Sequence, residues 1–151
     1  MKYYKGKYKV KNPAKYRGDH NDVVYRSHWE RQLCRWLDSN SNVVWWNSEC
    51  LVIPYRCATD RKMHRYFIDF QVKFKGKKLK AIEVKPECQT LQPVKKKGGR
   101  EKRFLTESLT YAKNSSKWTA AGKYCRARDM KFEIWTERHL QALGIRLLIK
   151  K

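Results

Sequence analysis

Two short runs of alternating residues constrain this 151-residue chain more than any other feature in it. Over 65–74, Tyr66, Ile68, Phe70, Val72 and Phe74 fall on one side of an extended backbone, and Phe67, Asp69, Gln71 and Lys73 on the other. Over 78–85, Ile82 and Val84 face one way, and Ala81, Glu83 and Lys85 the other. Such alternation marks half-buried strands, whose side chains point to opposite faces with a period of two. Gly76 supplies a turn residue between them, so the pattern predicts an antiparallel hairpin. A one-residue slip would set apolar groups opposite polar ones, which fixes the register. Phe70 is expected opposite Ile82, Ile68 opposite Val84, Phe67 opposite Lys85 and Asp69 directly opposite Glu83.

The remaining pattern adds helices around further strands. Trp29, Leu33, Trp36 and Leu37 recur at helical spacing over 27–38, and Ser27 with Glu30 forms a capping-box signature at its start. Segments 43–46 and 51–55 read as strands, with Pro54 pointing to an edge or a strand end. From Pro86 to Arg100 the periodicity dissolves into a basic loop. Two helices are predicted over 101–113 and 116–128, followed by a strand over 131–135. A short helix capped by Thr136 ends at Gly144, and the tail 145–151 is a further candidate strand. This order predicts one mixed α/β domain over 21–151. Residues 1–20 precede it as a basic arm, with seven Lys or Arg and no acid in the first 18 residues.

Lysine and arginine number 36 against 14 acids, a net charge of +22. Such an excess attracts polyanions, because each phosphate neutralised releases condensed counterions. DNA or RNA is therefore the expected partner, and the charges gather on no amphipathic helix suited to a membrane surface. The N-terminus lacks the apolar stretch of a secretory signal, so a cytoplasmic location is expected. Five cysteines without a C-x-x-C pair read as reduced, structural thiols.

Within so basic a chain, Asp69 opposite Glu83 calls for compensation, since facing like charges destabilise a sheet. Lys85, on the same face as Glu83, is one source of positive charge. A hard divalent cation is another: magnesium takes one or two carboxylates, keeps several waters and bridges to phosphate. Spacing alone leaves two readings open, a metal site and an exposed salt-bridged sheet face. Glu30 read alone is the helix-capping glutamate. His28, His64 and His139 accompany no triad-like set. His64 and Arg65 are candidates for phosphate contact, and Gln89 for an approach to the site past Pro86. Lys95, Lys96, Lys97 and Arg100 form a basic loop after the second strand, suited to DNA backbone contacts or merely solvated. Glu49 and Glu87 read as ordinary surface acids.

Asp69 followed by Glu83-Val84-Lys85 resembles the catalytic motif of the PD-(D/E)XK nuclease superfamily, and Glu30 matches the glutamate that many members carry on the preceding helix. Ile68 stands where the superfamily's name has proline. Longer stretches are similar to the T4-type phage head completion nucleases: Lys15-Tyr16-Arg17-Gly18-Asp19, Tyr25-Arg26-Ser27-His28-Trp29-Glu30, Trp36-Leu37-Asp38, Val52-Ile53-Pro54-Tyr55, Arg65-Tyr66-Phe67-Ile68-Asp69, Ile82-Glu83-Val84-Lys85-Pro86, Lys102-Arg103-Phe104, Thr136-Glu137 and Ala142-Leu143-Gly144. They run in order over nearly the whole chain. The same block more distantly resembles the nuclease subunit of Tn7-like transposition. The resemblance implies a restriction-endonuclease-like α/β core with a mixed central sheet flanked by helices. It implies Mg2+, replaceable by Mn2+, held by Asp69, Glu83 and the Val84 backbone carbonyl, with Glu30 on the metal or its water shell. Lys85 would position the attacking water or stabilise the transition state. The implied role is DNA cleavage in head maturation within the host cytoplasm, in contact with capsid, portal or neck proteins. A non-catalytic basic head protein that binds DNA ends is the alternative.

Overall fold

The computed structural model describes residues 5–147. In chain order the elements are β1 (Gly6–Lys7), a 3-10 turn (Pro13–Lys15), β2 (Val24–Tyr25), α1 (His28–Ser39), β3 (Val43–Ser48), β4 (Val52–Arg56), β5 (Met63–Phe67), β6 (Phe70–Phe74), β7 (Lys80–Val84), a 3-10 turn (Glu87–Gln89), α2 (Glu101–Ala127), β8 (Lys131–Trp135) and α3 (Glu137–Ala142). The central sheet has the order β3-β6-β7-β8. Its first two pairings are antiparallel and β7 with β8 is parallel, so it is mixed. A parallel pair needs a long connection, and the basic loop with α2 supplies it. Helices pack on both faces, as expected for a restriction-endonuclease-like core.

The alternation in β6 and β7 explains the two-sided packing. Phe70, Val72 and Ile82 join Leu33, Cys34 and Leu37 of α1, with Trp46, Trp135 and Leu140, in one cluster. Ala81 on the opposite face meets Ala121 and Cys125 of α2, with Ile53, Tyr55, Tyr66 and Ile68. Leu33, Leu37 and Ile82 are fully buried, each contributing roughly 1.5–3 kcal/mol over an exposed side chain. Ser27 caps α1, its hydroxyl accepting the Glu30 N–H at 3.2 Å.

The predicted register holds for Phe70 opposite Ile82 and continues through Gln71 with Ala81 and Val72 with Lys80. It stops there. The run over 65–74 is two strands, not one: β5 pairs with β4 in a separate hairpin, while β6 pairs with β3 and β7. The chain changes partners at Ile68 and Asp69, so Tyr66 and Ile68 lie in the α2 cluster and Phe70 and Val72 in the α1 cluster. The neighbouring strand turns the same corner. Glu49, with φ of 54°, carries β3 into β4, and its N–H donates to the Asp69 carbonyl at 3.1 Å.

Elsewhere too the structure departs from the sequence pattern. The helices expected over 101–113 and 116–128 are one helix, α2. The polar stretch at Asn114 and Ser116 does not break it: Asn114 is buried, and the Ser116 hydroxyl donates to the Ala112 carbonyl and accepts the Ala58 N–H. These bonds satisfy groups that otherwise compete with helix. The described part of the expected arm is docked on the domain. Val10 and Tyr16 are core residues, and buried Asp38 accepts the Tyr8 hydroxyl at 2.8 Å and the backbone N–H groups of Lys11 at 2.7 Å and Asn12 at 3.0 Å. Of the tail, residues 145–147 form no strand, and 148–151 lie outside the described residues.

Candidate active site

The corner at Asp69 and the central strand β7 build the site together. β7 is paired on both sides, so Glu83 sits on a rigid strand and is buried. Where β6 leaves β7, the next ladder hydrogen bond has no backbone partner. Asp69 fills that place, Oδ2 accepting the Val84 N–H at 2.9 Å. Asp69 therefore reaches past Glu83 to Val84; the expected backbone pairings of Asp69 with Glu83, Ile68 with Val84 and Phe67 with Lys85 are not formed.

Glu83 is held from two directions. Tyr66 donates its hydroxyl to Oε2 at 2.6 Å, and Lys85 Nζ lies 3.7 Å from Oε1. The single-face reading of 65–74 put Tyr66 away from Glu83; the change of partners at Ile68 and Asp69 brings it there. Lys117 of α2 stands over the Tyr66 ring, 5.4 Å from its centroid. Glu30 approaches from the first turn of α1, with Oε2 accepting the Arg26 N–H at 3.0 Å. Its backbone serves the Ser27 cap while its carboxylate faces the acid cluster. Arg26 also grips Glu49, with Nε 2.8 Å from Oε1.

The electrostatics bind these groups into one cluster. Burial raises the Asp69 carboxyl well above its usual value, and the charges of Glu83 and Glu30 raise it further, against the Val84 N–H and Lys85. Burial likewise raises Glu30, with Glu49 and Glu83 adding to it. Lys117 is lowered by burial and by Lys113, while Glu83 and Asp69 pull it up. Clustered acids that resist ionising together are a donor set suited to a cation. All are hard oxygen donors, which fits Mg2+ or Mn2+. The three carboxylates do not form one tight ligand shell: among the described residues, only Cys57, Asp60 and His64 bring three ligand atoms within 4.8 Å of one another. Glu30 is bonded to the Arg26 backbone.

The other sequence candidates are dispersed. Arg65 is exposed and lies over the Phe67 ring, 5.7 Å from its centroid. His64 bonds to Asp60 at 2.7 Å. Lys95, Lys96, Lys97 and Arg100 lie exposed before α2, Lys95 pairing with Glu101 at 3.9 Å. Gln89 lies in the turn after β7, and His139 caps α3 against Thr136. Glu87 is half-buried and pairs with Arg138 at 3.0 Å. The sequence reading missed Tyr66, Lys117, Arg26 and Glu49 as neighbours of the acids. Glu49 is thus a flank of the site rather than an ordinary surface acid.

Residues 40–137 match the family described as TnsA-like endonuclease N terminal. Over 146 residues the chain is 42% identical to the head completion nuclease of Enterobacteria phage T4, covering 95% of this chain and 97% of that protein. No solved structure matches it.

Proposed function

The chain belongs to the TnsA-like endonucleases and to the family of the phage head completion nuclease, and on that premise we propose that it is a divalent-metal-dependent DNA endonuclease of phage head completion. The observation that carries this is the Asp69 and Glu83 pair, held by the Val84 N–H and the Tyr66 hydroxyl beside Lys85, in a chain of charge +22.

Asp69, Glu83 and the Val84 carbonyl would hold Mg2+, with Glu30 ordering its water shell. Mg2+, when bound, polarises the phosphodiester and makes a coordinated water more acidic. Lys85 orients the attacking water and balances charge growing on the phosphate, as a preorganised cation does most effectively in a water-poor site. Tyr66 keeps Glu83 in one orientation. Lys117 adds positive charge from α2, over the Tyr66 ring. DNA is held by counterion release, with Lys95, Lys96, Lys97 and Arg100 as one set of backbone contacts and His64 and Arg65 as another. The enzyme acts in the host cytoplasm on packaged DNA or its ends, against capsid, portal or neck proteins. No described helix is long and apolar enough to cross a membrane, and none of these roles needs one.

The test is cleavage of linear duplex DNA with Mg2+ or Mn2+ against chelator. Cleavage should require the metal and vanish in Asp69→Ala, Glu83→Ala and Lys85→Ala, while DNA binding persists. Undiminished cleavage in all three would remove the site. Binding without cleavage by the unaltered chain under any of these metals would favour a non-catalytic DNA-end-binding head protein.

A further inference from the structure

Away from the acid cluster, the tip of the β4–β5 hairpin gathers three side chains that the nuclease reading does not use as a set. The ladder runs to Tyr55 with His64 and Arg56 with Met63. Beyond it the Cys57 N–H donates to the Lys62 carbonyl at 2.9 Å, and the Arg61 N–H to the Cys57 carbonyl at 2.8 Å, with Arg61 at φ 60°. The tip is therefore a closed turn. Asp60 Oδ1 accepts the Lys62 N–H at 2.9 Å, which aims its Oδ2 at His64 Nε2, 2.7 Å away. The Tyr55 ring stacks on His64 at 5.7 Å and 30°, fixing the imidazole plane. Cys57 is buried, with Sγ 3.0 Å from the Thr59 hydroxyl. The Ala58 N–H bonds to Ser116 of α2, anchoring the turn on the helix.

One sulfur, one carboxylate oxygen and one imidazole nitrogen thus lie within 4.8 Å of one another. We propose that Cys57, Asp60 and His64 form a second metal site, for a zinc-like divalent ion, that pins the hairpin tip. Zinc takes sulfur at about 2.3 Å and nitrogen or oxygen at about 2.0–2.2 Å in a tetrahedron, which puts its ligands roughly 3.3–3.7 Å apart. With the three ligand atoms within 4.8 Å of one another, the set lies within about 1 Å of that spacing, and the ion would replace the Asp60–His64 hydrogen bond and the Cys57–Thr59 contact. The Asp60 and His64 side chains are 41% and 39% exposed, so the fourth position opens to water. Thiolate is a soft donor and imidazole a borderline one, and magnesium prefers neither. A thiolate and a carboxylate together neutralise a dication, so the loaded site would carry no net charge beside Arg56, Arg61 and Lys62. His64 lies two residues before Tyr66, so an ion here would also steady the strand that sets Tyr66 against Glu83.

The experiment titrates the full-length, reduced, metal-free chain with Co2+ alone. A thiolate-to-cobalt charge-transfer absorbance should saturate at one equivalent and disappear on adding Zn2+. Cys57→Ser should abolish it, His64→Gln and Asp60→Asn should weaken Co2+ binding by about tenfold or more, and Cys34→Ser and Cys88→Ser should leave it. Asp69→Asn should also leave it, because the acid cluster contributes no sulfur. Circular dichroism checks that Cys57→Ser is folded; if it is not, His64→Gln and Asp60→Asn decide. Absence of the band, its survival in folded Cys57→Ser, its persistence at full affinity in both His64→Gln and Asp60→Asn, or its loss with another cysteine overturns the proposal.

Discussion

Replacing Tyr66 by phenylalanine removes one hydroxyl and little else. The ring keeps its edge-on contact with Tyr55 at 6.3 Å and 80°. The hydroxyl donates to Glu83 Oε2 at 2.6 Å within the protein interior. Burial, reinforced by the Glu83 charge, pushes the phenol far above its ordinary value, so it remains a donor at any working pH. A hydrogen bond to a charged acceptor contributes about 1.5–3 kcal/mol. At 1.36 kcal/mol per tenfold that is about 10–150-fold. A carboxylate has lone pairs for the hydroxyl and a metal together, so the bond survives ion binding and orients the ligand. Loss of such an outer partner weakens metal affinity by about 10–100-fold. Cleavage rate measured against Mg2+ concentration should therefore show a half-saturation point raised by roughly that factor. The plateau at high Mg2+ should stay within a few-fold of the parent rate. An unchanged midpoint, or a collapse that Mg2+ does not restore, would show that the Tyr66 hydroxyl does not act through metal binding.

Asp69→Asn should abolish cleavage yet stabilise the metal-free protein near neutral pH. Its raised carboxyl binds more protons folded than unfolded, so stability falls as pH rises from the unfolded value toward the folded one. Removing that penalty should lift the melting temperature by about 2–4 °C per kcal/mol, with the gain vanishing in acid; a lower melting temperature at neutral pH would contradict it. Lys117→Met should slow cleavage by about 10²–10³-fold, the cost of losing one group that stabilises charge in the transition state, with folding and DNA affinity kept; kinetics within a few-fold of the parent would remove Lys117 from the site. Replacing Lys95, Lys96, Lys97 and Arg100 together by alanine should flatten the salt dependence of DNA binding by about 0.9 per lost phosphate contact, so by about 3–4; an unchanged slope would place the DNA elsewhere. Asp38→Ala strands three donors and should cost about 3 kcal/mol or more in denaturant unfolding, with new proteolysis within residues 5–20; a loss below about 1 kcal/mol would show that the segment docks without it.

What the sequence showed and what it hid divide along locality. Phe70 opposite Ile82 was legible because the apolar alternation of two adjacent strands permits one register. The change of partners at Ile68 and Asp69 was not, since Tyr66, Ile68, Phe70 and Val72 alternate without a break and all are buried. Alternation reports burial, and here two clusters on opposite faces satisfy it equally. Glu49 joins the acids only because two strands turn one corner together, and no spacing encodes that. Lys117 is one of 36 basic residues, and its position follows from the continuity of α2, which Asn114 and Ser116 disguised. Tyr8 bonds to Asp38 across thirty positions, so the docking of the basic segment left no local trace. Asp69, Glu83 and Lys85 were legible in the alternation of the two strands, Glu30 as a site residue came only from family resemblance, and the geometry gives each a physical partner.

Every role proposed for the site requires that Asp69 and Glu83 hold a divalent ion. Anomalous diffraction from crystals soaked in Mn2+ tests it directly. A peak is expected between the two carboxylates, within bonding distance of both and beside the Val84 carbonyl, and absent from Asp69→Asn crystals. A clear peak elsewhere with none at that position, or none at all under conditions in which the same preparation cleaves DNA, would contradict it.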